Sequence, residues 1–280
     1  LKPREAWWIN PNYPPTIGGA ASAATVIKEI RDRLGKDKIL LVDTGPLSDV
    51  NLLLEGPGYL PTVFFMNEMG YDVAVPGTRD FLIGLNSLYD LAQTARFPLV
   101  AANVTTPWNP EQHLPFLPPY VLLKKGGLKI GIIGVVTEEM PFLLPSFAKR
   151  QFYFLPEIPT VQQYVDSLKK LNVDLIVVLS HAGVEKDTII SHKVKGIDVL
   201  VSGFDGRGMR EPYEDPYTHT IVVRGYGGLS EVGRLDLYID RKFKTIRDYN
   251  GKLLSLIVEE ALPEPKWLTF PLYPETPKGN

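Results

Sequence analysis

Gly70-Tyr71-Asp72-Val73-Ala74-Val75-Pro76-Gly77-Thr78-Arg79-Asp80-Phe81 is the stretch on which the fold turns. It reads as a short buried strand over 71–75, a Pro-Gly turn, and a helix starting near Asp80. α/β proteins place their chemistry in the turns that leave the carboxyl ends of sheet strands. Thr78 and Arg79 stand in such a turn, so the segments around it decide what it belongs to.

Strands and helices alternate on both sides of this stretch. Upstream, Gly18-Gly19 leads into a helix over 20–34, with Ala23, Val26, Ile27, Ile30 and Leu34 spaced along one buried face. Gly35 suits its C-terminal stop. The apolar run 39–42 reads as a strand covered on both faces, ending in Asp43-Thr44-Gly45-Pro46. A first strand is expected at 6–9 and a second helix at 59–69. Downstream, a helix over 81–94 and a strand over 98–102 follow. Residues 120–124 and 128–136 flank Gly126-Gly127 as a hairpin. The Pro-rich residues 141–159 read as a long irregular connection. A helix over 160–171 leads to a strand over 175–179, which ends Ser180-His181-Ala182-Gly183. Another strand, 197–201, ends Ser202-Gly203-Phe204-Asp205-Gly206. The last third, with candidates at 221–223, 233–239 and 244–249, is expected to pair antiparallel. Alternation followed by a strand-rich end argues an α/β fold with a mixed sheet.

Composition bounds the function. The chain has 280 residues, 44% of them hydrophobic, enough for one large domain or two modest ones. A formal net charge of -2 argues against a nucleic-acid binder. No apolar run is long enough to span a membrane. With no cysteine there is no disulfide, thiolate metal site or Cys nucleophile. The chain begins at Leu1 without a visible signal peptide, as expected of a processed secreted protein or a trimmed one. Proline clusters at both ends, which are expected to be extended.

The strand ends carry a resemblance. Gly77-Thr78-Arg79-Asp80-Phe81 resembles the Gly-Asn-His-Glu-Phe turn of the calcineurin-like metallophosphoesterases, in particular their 5'-nucleotidase branch. Leu40-Leu41-Val42-Asp43-Thr44-Gly45-Pro46 is similar to that family's Leu-Leu-Asp-x-Gly-Asp, and Ala101-Ala102-Asn103-Val104 to its Ser-Ala-Asn-Val. Val178-Leu179-Ser180-His181 resembles its Leu-Ser-His, and Asp198-Val199-Leu200-Val201-Ser202-Gly203 the lead-in to its Gly-His-x-His. Gly19 to Arg31 resembles its Gly-Gly-x-Ala helix, and Gly233-Arg234-Leu235-Asp236-Leu237 its Gly-Arg-Leu-Asp-Leu strand. The match runs over 6–256, in order.

The resemblance implies a four-layered α/β/β/α sandwich with two divalent metals at the strand ends. Its ligand positions, carried over in turn, are largely emptied of donors. The first Asp-x-His falls on Asn10-Pro11-Asn12, the bridging Asp on Pro46 and the Asn on Thr78. The Leu-Ser-His ligand remains as His181, and the last two His fall on Phe204 and Gly206. The family's catalytic His position holds Arg79. Altering an outer-shell group already costs about 10–100-fold in metal affinity. Losing the bridging carboxylate and further direct ligands implies no dimetal site and no metal cofactor.

Two functional expectations follow from the resemblance. One is a catalytically degenerate member serving as a binding, scaffold or assembly subunit. Its protein partner would be contacted through the Pro/aromatic arm 257–280 (Trp267, Phe270, Tyr273), which is too short to be a domain beside 1–256. The other is a hydrolase of a phosphate or sulfur-oxyanion ester, with Arg79 as electrophile and His181 as acid/base. Arg79, Arg207 and Arg210 lie in or after the former ligand loops, and Arg224 ends a late strand. Guanidinium forks match small oxyanions, so these residues mark a candidate anion pocket. The competing reading pairs Arg79 and Arg207 with Asp43, Asp80 or Asp205 to fill the cleft. His181 is expected to be hydrogen-bonded rather than a ligand, with Ser180 pointing to the opposite face. Glu185, Asp187 and Asp205 offer a carboxylate pair that the spacing does not favour. The family is mostly extracytoplasmic in bacteria, which implies a periplasmic or cell-surface location.

Overall fold

The computed structural model describes residues 4–5, 16–48 and 60–256. The strand expected at 6–9, the Asn10 and Asn12 positions and the 257–280 arm lie outside the described residues. The fold is α/β, as expected. Its centre is a six-stranded sheet in the order Tyr213–Glu214, Ile221–Arg224, Val199–Ser202, Leu175–His181, Leu128–Val136 and Tyr120–Lys125. The middle four strands are parallel and the two edge strands antiparallel.

The parallel strands read as unbroken apolar runs because both of their faces are covered. All seven residues of Leu175–His181 are buried. Alternate side chains enter two different cores, as a strand's two-residue period requires. Ile176, Val178, Leu200 and Val222 pack with Val161, Val165 and Ile190 from helices Glu157–Lys170 and Val184–Lys193. Leu175, Val177, Leu179, Val199 and Ile221 face the larger core, with Ala23 and Ala24 of helix Ala20–Leu34 and Phe65 and Met66 of helix Leu60–Met69. Each fully buried aliphatic side chain contributes about 1.5–3 kcal/mol.

Helix Ala20–Leu34 and the Gly126-Gly127 hairpin match expectation, and the Gly35 N–H closes that helix on Arg31 O at 2.8 Å. Other elements differ, each for a local reason. The expected helix 81–94 is broken into Thr78–Phe81 and Leu85–Thr94. Gly84 supplies the break at φ 92, a conformation that favours glycine. Gln151 Oε1 then accepts the Leu85 N–H at 2.8 Å. The 39–42 run is regular only at Val42–Asp43, and the 71–75 strand only at Val73–Ala74. Residues 98–102 form no regular strand. Their N–H groups are divided among three neighbours, Val100 donating to Ala74 O (2.9 Å), Ala101 to Pro118 O (3.0 Å) and Ala102 to Gly134 O (2.7 Å).

The 141–159 connection is largely structured, with helices Met140–Leu143 and Ser146–Lys149 and strand Tyr153–Phe154. Helix Glu157–Lys170 starts before the expected residue 160, because Pro159 is tolerated in a first turn where its missing N–H has no helical partner. The antiparallel expectation for the last third holds for the long hairpin Glu231–Asp240 and Thr245–Ser255. It holds only on one side of Ile221–Arg224, which is antiparallel to Tyr213–Glu214 but parallel to Val199–Ser202.

Candidate functional site

The carboxyl ends of the parallel strands gather the loops singled out above. Register sets the chemistry of the two faces there. Ser180, Ser202 and Arg224 lie side by side across three strands, and His181 follows on the opposite face. Ser180 and Ser202 both donate their hydroxyls to Asp187, a buried residue of helix Val184–Lys193. Ser180 is therefore turned away from His181, as the strand period requires.

His181 is 1% exposed, and both of its ring nitrogens are engaged. The Thr78 backbone N–H donates to Nε2 at 3.1 Å, so Nε2 carries the lone pair. The proton therefore sits on Nδ1, which donates to Thr44 O at 2.6 Å. Thr78 Oγ1 lies 3.2 Å from Nε2. The ring meets Phe204 edge-on at 5.3 Å. Burial pushes the imidazole down to about 4, helped by the positive charge of Arg224 and opposed by the Thr44 carbonyl. His181 is neutral at pH 7 and offers no free lone pair.

Backbone packs tightly around this ring. A Cβ at Gly77 would lie 2.7 Å from both His181 Cε1 and Pro46 Cα, so only glycine lets the turn approach so closely. Phe204 holds φ 100, uncommon for a bulky side chain and the kind of strain that collects at functional loops. Four sequence-marked positions, Pro46, Thr78, His181 and Phe204, thus converge. Gly206 lies farther along its loop, exposed, with its carbonyl accepting the Gly227 N–H at 3.1 Å.

The expected pairing of Arg79 and Arg207 with carboxylates needs correction. Arg79, Arg207 and Arg210 are all exposed, and none forms an ion pair among the described residues. Asp80 is buried and accepts backbone N–H groups from Leu47 (3.0 Å), Ser48 (2.7 Å) and Gly77 (2.7 Å). It thus ties the opening stretch to the preceding loop, and burial still pushes its carboxyl up. Asp43 accepts the Gly45 N–H at 2.7 Å, and burial raises it to about 6. Asp205 pairs with Arg224, which is 3% exposed and also donates to Gly203 O at 2.9 Å. Asp205 thus takes its guanidinium from Arg224, at a strand end, rather than from Arg79 or Arg207. Arg224 Nε is buried without a hydrogen-bond partner among the described residues.

Asp187 does not form a carboxylate pair with Glu185 or Asp205; its oxygens take the two serine hydroxyls. Burial raises it to about 7 against those hydrogen bonds and the Arg224 charge. The Ser180–Asp187–Ser202 unit was not anticipated, because helix Val184–Lys193 was not. Its signal was Gly183 followed by Glu185 and Asp187, acids suited to a first turn.

No protein-family model matches the chain. Rat 5'-nucleotidase is 31% identical over 266 residues, covering 88% of this chain and 45% of that protein. The chain belongs to the 5'-nucleotidase-like metallophosphoesterases. It spans about half the length of the curated relatives it matches. Among solved structures, the calcineurin-like phosphoesterase YfkN from Bacillus subtilis superposes with TM-score 0.69 at 23% identity, covering 85% of this chain and 83% of that one. The sulfate thiohydrolase SoxB from Thermus thermophilus superposes with TM-score 0.77 at 21% identity, covering 90% and 45%. These two likenesses show the shared fold.

Proposed function

We propose that this member of the family is catalytically degenerate and works as a binding or assembly subunit, without a dimetal site. The carrying observation is His181, the surviving ligand type, with both ring nitrogens committed to Thr44 O and the Thr78 N–H. The remaining donor set does not fit two divalent metals either. Pro46, Phe204 and Gly206 supply no side-chain donor, and among the described residues no three His, Cys, Asp or Glu side chains are grouped to hold a metal. Phe204 stands edge-on to the His181 ring, and Asp205 is paired with Arg224. The degenerate reading calls for a protein partner, to whose contact we assign 257–280, and the resemblance to extracytoplasmic relatives supports a periplasmic or cell-surface location.

The second reading is hydrolysis of a phosphate or sulfur-oxyanion ester. It draws on the exposed Arg79 beside Thr78 and on the sulfate thiohydrolase among the structural neighbours. The test soaks the chain in excess manganese and zinc, dialyses it, and measures metal by elemental mass spectrometry alongside nucleotidase and phosphodiesterase assays. The degenerate reading expects metal near zero and no turnover. Near-stoichiometric metal, or turnover abolished by Arg79→Ala or His181→Ala, would overturn it.

A further inference from the structure

We propose that the end of the molecule opposite His181, where the parallel strands begin, is a docking face for an acidic lipid bilayer. Two turns there carry exposed apolar tips. Phe243, in the turn between Glu231–Asp240 and Thr245–Ser255, is 66% exposed. Leu171, at the end of helix Glu157–Lys170, is 41% exposed. Asp174 and Lys129 join the two turns. Asp174 pairs with Lys244 at 2.9 Å and accepts the Lys129 N–H at 2.7 Å, and Lys129 Nζ donates to Leu171 O at 2.6 Å.

Cations surround these tips. Arg241, Lys242, Lys170 and, at the neighbouring Gly126-Gly127 turn, Lys124 are exposed and form no ion pair among the described residues. The acids of these turns are neutralised within the fold. Asp174 is held as above, Asp240 pairs with Arg247, and Asp72 pairs with Lys125 at 2.7 Å. Asp37, whose carbonyl accepts the Gly126 N–H at 2.7 Å, stands exposed between Lys36 and Lys38. The whole chain has a formal net charge of -2, so unneutralised cations gathered at one end polarise the molecule.

Phe243 is held outward by a built turn. Asp240 Oδ1 accepts the N–H groups of Lys242 (2.8 Å) and Phe243 (3.1 Å), and the Asp240 carbonyl accepts the Lys244 N–H at 2.6 Å. Lys242 Nζ lies 5.2 Å from the centre of the Phe243 ring. A bilayer boundary takes apolar and cationic side chains together. The ring and the leucine enter the acyl edge while the ammonium and guanidinium groups stay among headgroup phosphates. A soluble polyanion would pair with the cations but leave Phe243 and Leu171 in water. Each Lys or Arg near an acidic surface strengthens binding by about fivefold. This inference does not rest on the fate of the metal site.

The test sediments the full chain with vesicles of pure phosphatidylcholine and with vesicles of phosphatidylcholine and phosphatidylglycerol in equal amounts. Binding is expected to the mixed vesicles alone, and to be lost in 1 M salt, where the Debye length falls to about 3 Å. Arg241→Gln with Lys242→Gln is expected to weaken it about 25-fold. Both side chains are exposed, so the urea midpoint is expected to stay unchanged. The absence of cysteine allows a polarity-sensitive dye to be placed at Phe243→Cys, where its emission is expected to shift to the blue on the mixed vesicles. The same dye at Phe142→Cys, exposed at the other end of strand Leu128–Val136, is expected not to shift. Equal binding to both vesicles, binding to neither, a double variant that binds like the native chain, or a shift at 142 in place of 243 overturns the proposal. Binding to polyphosphate without a dye shift on vesicles overturns it too, by making the face a site for a soluble polyanion.

Discussion

Two histidines on neighbouring elements are held in opposite ways. His181, at the end of its strand, is sealed in, with a partner on each ring nitrogen. His192, in the last turn of helix Val184–Lys193, has a side chain 49% exposed and bonds through Nδ1 to Asp215 Oδ2 at 3.0 Å. Tyr217 meets its ring edge-on at 4.7 Å. Asp215 beneath it is buried, and the N–H groups of Tyr217 and Thr218, each at 2.9 Å, fix its carboxylate. Those donors and His192 hold it down to about 2 despite burial. The family motif therefore marks the histidine with no chemical freedom left. The histidine with a carboxylate behind it and solvent in front lies where no motif pointed. Motif position and chemical availability are separate properties.

The largest expected effect is on the sealed side. His181→Ala removes a buried ring and strands the Thr78 N–H and the Thr44 carbonyl. Cavity and unsatisfied-donor costs together are about 3–4 kcal/mol of unfolding free energy. Urea denaturation measures it. A loss below about 1 kcal/mol would mean that His181 is not the keystone described, and the contrast with His192 would collapse.

The same ring gives the contrast a pH signature. Its folded pKa of about 4 lies below the ordinary 6.5. Between those values the unfolded chain binds a proton that the native imidazole refuses, so stability falls as pH drops through that window. The full span is on the order of 3 kcal/mol. Asp43 and Asp187 act in the opposite sense. Their raised carboxyls, about 6 and about 7, bind protons in the native state that the unfolded chain releases, so stability falls as pH rises. The readout is therefore a difference. The stability gap between the native chain and His181→Gln is expected to narrow from pH 7 to pH 4.5. A gap independent of pH would contradict the sealed, neutral imidazole.

The sequence announced the loops of this site more clearly than their contents. Helical spacing and Gly35 marked Ala20–Leu34 to the residue, because both ends are punctuated by glycine. The buried strands were legible because continuous apolar runs have few alternatives in an α/β pattern. Convergence of Pro46, Thr78, His181 and Phe204 was implied by the resemblance of the strand ends to the family's ligand motifs. Which arginine pairs with Asp205 was not. Arg79, Arg207 and Arg224 are equivalent in composition, and only register places Arg224 beside Ser202, within reach of Asp205. The Ser180–Asp187–Ser202 unit depends on a helix crossing two strands, a long-range packing fact that no local spacing encodes. Short elements such as Val104–Thr105 and Tyr153–Phe154 exist through pairing with each other rather than through their own propensity.

The smallest expected effect is on the open side, and it sharpens the comparison most. His192→Ala deletes a half-exposed partner of Asp215 but leaves the two backbone donors that hold the carboxylate. Exposed pairs of this kind are worth about 0–1 kcal/mol, so denaturation is expected to change by no more than that. Reactivity distinguishes the two sites independently of stability. A histidine-directed acylating reagent needs an accessible unprotonated ring nitrogen. It is expected to modify His192 in the folded chain at pH 7 and to reach His181 only after denaturation, with peptide mapping reporting each site. Modification of His181 at a rate comparable to His192 would mean that its loops open in solution. The motif histidine would then regain the availability that its hydrogen bonds deny it, and the hydrolytic reading would return with it.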